Sequence, residues 1–180
     1  MGTVTNGFFP HSVERLPEAI RARLENALGG LSDEMDAISN HGRFSAGEEG
    51  WSFWCEEGTV TGEGPCGFSI SVYVGVVRLT SVERFGAIER PDQGIHVALR
   101  TAFETVAAAF GGSGLLAVAA GGFGDTDRAD DIALAGGKFA DVCKCLEGAI
   151  GPPARSWSEL EAGEGNWYLS IPDPKADGGT

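Results

Sequence analysis

Basic residues are scarce in this chain: 13 Lys and Arg stand against 26 Asp and Glu in 180 residues, a formal charge of −13 with a pI near 4.5. A sequence-independent grip on DNA or RNA needs clustered cations to displace counterions, so this composition excludes direct nucleic-acid binding of that kind. An anionic membrane surface repels the chain for the same reason. Imidazoles are fewer still, at His11, His41 and His96, and none stands in a metal-binding or nucleophilic motif. Long apolar runs are missing as well. The densest, GLLAVAAGGF, is too short and too glycine-rich for the roughly 20 residues that span a bilayer. MGTVTNGFFPHSVERL shows no basic segment leading into an apolar one, so no secretory signal is read there. The expectation is a cytoplasmic protein.

The common motifs of phosphate and metal chemistry are absent too. Gly122-Phe123-Gly124 lacks the third glycine of a dinucleotide fingerprint, and carboxylates stand where phosphate would go. No Walker pattern occurs. A calcium loop started at Asp125 meets its needs at Asp125 and Asp127 but finds Ala129, Asp130 and Gly136 at the next key positions. Ser113 lacks the spacing of a nucleophile elbow and precedes a strand instead of following one. Cys143 and Cys145 lie two apart in a helical pattern, pointing roughly 200° away from each other, which no single ion can bridge. Cys55 and Cys66 flank a connection and could approach one another, yet a reducing compartment keeps them as thiols. No cofactor is expected.

What is present is ordinary globular composition, with 42% hydrophobic and 22% charged residues. Leu16, Ile20, Leu24, Ala27 and Leu28 recur at helical spacing up to Gly29-Gly30, and LSDEMDAISN comes next as a second short helix. Around residue 50 the period shifts to two. WSFWCEE and FSISVYVGVVRL read as strands joined by GTVTGEGPCG, with SVERFGAIER as a further strand. Ile95, Leu99, Phe103, Val106 and Phe110 stripe a helix over 92–110, then LLAVAA reads as a buried strand. Phe139, Val142, Cys143, Leu146 and Ile150 mark a helix over 138–150, Ser156 and Glu159 a capping box, and NWYLSIP a last strand. The expected fold is α+β: one domain over 1–172, a mainly antiparallel sheet with helices packed on one face, and a flexible tail over 173–180.

Function is less legible. The acidic segment Asp125 to Asp131 is read first as a solvated connection, with Asp127 or Asp130 capping the next element. DIALAG is open between a helical turn and a strand; as a strand, it would set these acids together at a sheet end, which suits recognition better than catalysis. The leading reading is a non-catalytic acidic binding module, of inhibitor or immunity type, that neutralises a basic protein partner. Trp54, Glu56, Glu57, Asp125, Asp127, Asp130, Asp131 and Trp157 are its candidate contacts, aromatics for anchoring and carboxylates for attraction. Trp167 and Tyr168 are further exposed-aromatic candidates. Two alternatives stand beside it: a metal-assisted hydrolase built on the acidic loop with His96 or His41, and a mimic of nucleic-acid phosphate spacing.

Overall fold

A computed structural model describes residues 2–41, 50–84, 95–111, 115–121, 126–154 and 167–171. Among these residues seven strands form one sheet: β1 (Gly2–Pro10), β2 (Ser52–Glu56), β3 (Thr59–Glu63), β4 (Phe68–Val72), β5 (Val76–Arg84), β6 (Leu116–Gly121) and β7 (Trp167–Ile171). Their order is β2-β3-β4-β5-β1-β6-β7, and every pairing is antiparallel. The described helices are α1 (Pro17–Gly29), α2 (Ser32–His41), α3 (Ile95–Ala109), α4 (Asp127–Leu134) and α5 (Phe139–Ile150). The α+β class expected from the sequence is what forms.

β1 runs through the middle of the sheet, between β5 and β6. Its pleat sends Phe8 and Phe9 to opposite faces, and both are fully buried. Phe9 joins a core with Ile20, Leu24 and Leu28 of α1, Ile38 of α2, and Leu99, Phe103 and Val106 of α3. It meets Phe110 edge to face, with ring centroids 5.8 Å apart. Phe8 joins a second core with Val76, Ala117 and Ala119 of the sheet, Ala129 and Ala133 of α4, and Val142 and Leu146 of α5. The helices thus divide between two faces. Segment 138–150, grouped with 16–28 and 92–110 by sequence alone, lies on the opposite side of the sheet from them.

Two local readings change, and one left open is decided. The run 68–79 is not one strand: it breaks at Tyr73-Val74-Gly75, where the Tyr73 N–H donates to the Val76 carbonyl at 3.0 Å and the chain reverses into β5. Val74, apolar and in phase with the alternation, is 64% exposed at that turn. The connection 58–67 itself contains β3 and a 3-10 turn over Pro65–Gly67. DIALAG takes its helical alternative. α4 ends in a Schellman motif, with Gly136 at φ +83° and the N–H groups of Gly136 and Gly137 returning to Ala133 and Ile132 at 3.0 and 2.9 Å. Residues 156–159 and the tail 173–180 lie outside the described residues.

Gly7 sets how closely α3 approaches the sheet, because a Cβ there would overlap the Phe103 ring. Gly7→Ala is expected to destabilise the fold by about 1–3 kcal/mol, the usual cost of overpacking a filled core. Gly29→Ala is the control: its Cβ would meet nothing within 4 Å, at the end of a helix, so stability should hold or rise slightly. Urea unfolding midpoints of both variants against the parent chain measure the difference.

Candidate functional site

Strand pairing fixes which side chains share a face. Across one rung run Trp54, Thr61, Ser71, Arg78, Phe8 and Ala117; on the next, Ser52, Glu63, Ser69, Thr80, Asn6 and Ala119. One end of each rung is apolar and lies beneath the second core, where α4 packs on β5 and α5 on β1 and β7. The other end is polar and accessible: Ser52, Trp54, Glu56 and Glu63 are exposed, and Thr59, Thr61 and Ser69 partly so. On the reverse of β2, Phe53 packs on the first core, stacked on Trp51 at 5.8 Å with the Arg21 guanidinium 5.4 Å from its ring centre.

α4 walls this polar floor along β5. Asp130 accepts from the Tyr73 hydroxyl at 2.5 Å and from Arg78 Nη1, so both carboxylate oxygens are engaged. One turn earlier, buried Asn6 donates from its amide nitrogen to Thr126 Oγ1 at 2.6 Å and accepts from Thr80 Oγ1 at 2.7 Å. These contacts staple the start of α4 to β1 and β5. Tyr73 is 5% exposed, and its phenol is pushed up to about 12, first by burial and then by the hydrogen bond to Asp130. His11 Nε2 lies 2.9 Å from the Tyr73 carbonyl oxygen, a bond that requires the proton on Nε2. At neutral pH Tyr73 is therefore a protonated donor and Asp130 an ion-paired acceptor. The phenol is no ready proton acceptor, and the Asp130 oxygens are occupied by Tyr73 and Arg78.

The candidate contacts fall into separate places. Trp54 is 42% exposed on the edge strand, and Glu56 lies two residues on. Glu57 is in the turn, at φ +48° beside Gly58 at +79°, the two left-handed residues of a type I′ hairpin. Arg15 Nη1 donates to the Gly58 carbonyl and braces that turn. Asp127 and Asp131 are exposed on α4, whereas Asp130 turns toward the sheet. Because 127–134 is a helix, the acids do not project together from a sheet end. Two strands, β3 and β4, separate β2 from β5, placing Trp54 roughly 14 Å from Arg78 across the floor. Asp125 and Trp157 lie outside the described residues, and the side chains of His41, His96, Trp167 and Tyr168 are not described.

Sequence reasoning misses Asn6, Glu63, Tyr73, Arg78 and Thr126. In an unbroken strand Tyr73 and Arg78, five apart, would face opposite sides; the hairpin between them is what puts both against Asp130. The four cysteines form no disulfide with one another, and Cys66 is buried with its thiol 3.5 Å from the Met35 carbonyl. Among the described residues no three His, Cys, Asp or Glu side chains come together as a metal site, and no helix is long and apolar enough to cross a membrane. Comparison with protein-family models, curated proteins and solved structures finds no match to this chain.

Since the phenol of Tyr73 is raised in the folded chain, the unfolded chain loses its proton first, near pH 10, and the folded one only near pH 12. The stabilisation is complete below pH 10 and falls as pH rises through that window, by about 3 kcal/mol at about 1.4 kcal/mol per unit. Tyr73→Phe should flatten this alkaline decline. Denaturant midpoints measured across the window test it.

Proposed function

We propose that the protein is a non-catalytic binding module that receives a basic protein partner on the open half of its sheet, in the manner of an inhibitor or immunity-type protein. The observation that carries this reading is Trp54, exposed on the half of one face that no described helix covers and flanked there by the carboxylates of Glu56 and Glu63. A flat aromatic costs little conformational entropy to bury and commonly anchors interfaces, while surrounding carboxylates steer a cationic surface toward it. Asp127 and Asp131 on α4 extend the same field along the wall, and the chain as a whole carries −13. The engagement of Asp130 by Tyr73 and Arg78 favours recognition over hydrolysis, because the inner acid of the loop is spent on holding α4.

The test is capture on the immobilised protein from a native lysate, at low salt and at about 0.3 M salt, where screening shortens the reach of surface charge. A single stoichiometric basic protein should be retained at low salt and released at high salt. Trp54→Ala combined with Glu56→Lys and Glu63→Lys should lose it, with Trp54 alone accounting for about 2 kcal/mol, roughly thirtyfold in Kd. These positions are exposed, so the variant's unfolding midpoint should stay close to the parent's. Equal capture by the variant would sink the reading.

A further inference from the structure

Among the described residues β2 is an edge strand, and its backbone shows which groups it leaves over. The two-residue type I′ turn makes Glu56 and Thr59 a hydrogen-bonded pair. Alternation then makes Trp54–Thr61 and Ser52–Glu63 hydrogen-bonded pairs as well, and leaves Phe53–Gly62 and Cys55–Val60 as the wide-spaced pairs. The N–H and C=O groups of Phe53 and Cys55 therefore point away from β3, along the free edge, about 6.8 Å apart. Edge strands are commonly blunted by lysine, proline or a bulge. Ser52–Glu56 has neither residue, and its register with β3 is continuous.

The geometry points to β2 as a strand-addition site, on which an extended, basic segment of a partner protein pairs with the Phe53 and Cys55 backbone as an eighth strand. This rests on the reading that the partner is basic and adds the form in which it binds. Side chains on the added strand alternate between two unlike surroundings. On the open face they neighbour Trp54 and Glu56, with Glu57 at the turn, and lysine or arginine fits there. On the other they neighbour Phe53 and Cys55, where Arg21 already holds a cation against the Phe53 ring, so β-branched or apolar residues fit there. A second copy of this chain is disfavoured as the occupant: it would bring another −13 and its own Glu56 and Glu57 to the same edge.

The probe is a short synthetic peptide alternating lysine with valine, together with its analogue N-methylated on the amides that would face β2. Amide hydrogen exchange is monitored by NMR on the full chain. Binding of the first peptide should slow exchange at Phe53 and Cys55 on the order of tenfold while leaving Trp54, already bonded to β3, unchanged. The N-methylated peptide should bind at least about tenfold more weakly, having lost donors and met a steric block. Cys55→Pro removes one outward donor without touching a β3 bond and should weaken binding likewise, with its unfolding midpoint recorded alongside. Salt-sensitive binding of both peptides alike, with no new protection at Phe53 and Cys55, overturns strand addition and leaves the acidic-module reading standing. Failure of the unmethylated peptide to bind overturns strand addition too, and the capture experiment then judges the broader reading separately. Protection at those amides that grows with protein concentration and without peptide assigns the edge to a second copy and overturns the proposal.

Discussion

The architecture depends on one strand being buried on both faces. β1 joins β5 to β6; without it the meander β2–β5 and the pair β6–β7 would share no edge. Four consecutive residues of β1 serve four contacts. Asn6 bridges Thr80 and Thr126, Gly7 admits the Phe103 ring, Phe8 enters the core beneath α4 and α5, and Phe9 enters the core beneath α1, α2 and α3. Each aromatic withdraws its full side chain from water, worth about 1.5–3 kcal/mol apiece, and a slip of one residue would exchange the two cores. Both helical layers are thereby positioned by one backbone.

That arrangement also decides what stays open. The second helical layer is small: α4 turns only Ala129 and Ala133 fully inward, and α5 adds Val142 and Leu146 over a sheet surface that includes Ala117 and Ala119. It sits close to the sheet but covers only the strands near β1. At its border the apolar floor gives way to Arg78, and Asp130 meets it there. The pair is about a quarter exposed, Arg78 at 27% and Asp130 at 24%, so partial screening tempers its strength. Its geometric role is plainer: with Tyr73 it sets where α4 stops and where Thr61, Trp54 and their neighbours begin.

The helices are the most legible part of the sequence, because stripes such as Ile20, Leu24, Leu28 and Leu99, Phe103, Val106 report a buried side directly. Periodicity says nothing of which side of a sheet a helix takes, and α5 shows the cost. Turns are harder. Val72, Val74 and Val76 keep strand phase straight through a reversal, and only Gly75 marks it. Glu57-Gly58 makes a type I′ turn without the Asn-Gly or Asp-Gly pair that would announce one, so β3 reads as connection in the sequence. β1 escapes the pattern because Val4, Asn6 and Phe8 alternate with Thr5, Gly7 and Phe9, and a strand buried on both faces has no polar side to reveal it. Among the candidate contacts, exposure at Trp54, Glu56 and Glu57 comes from ordinary strand and turn chemistry. The inward turn of Asp130 does not, since it needs a tyrosine and an arginine brought from a hairpin more than fifty residues away.

The acidic balance and the outer edge of β2 bear on each other. An uncapped strand edge is a template for any chain that reaches it, and other copies of the same protein are the most concentrated candidates. Here the ordinary safeguards, lysine and proline within the strand, are missing, and acidic residues take their place at Glu56 and Glu57 with −13 over the chain. Like charge raises the cost of bringing two such edges together. The same field lowers the cost for a cationic segment, which would meet the outward-facing backbone of Phe53 and Cys55 and an exposed indole at Trp54 between them. On the proposed reading, protection from self-pairing and selection of a basic strand are one electrostatic property acting on two classes of visitor, and only the backbone pairing distinguishes a partner that docks from a cation that merely lingers.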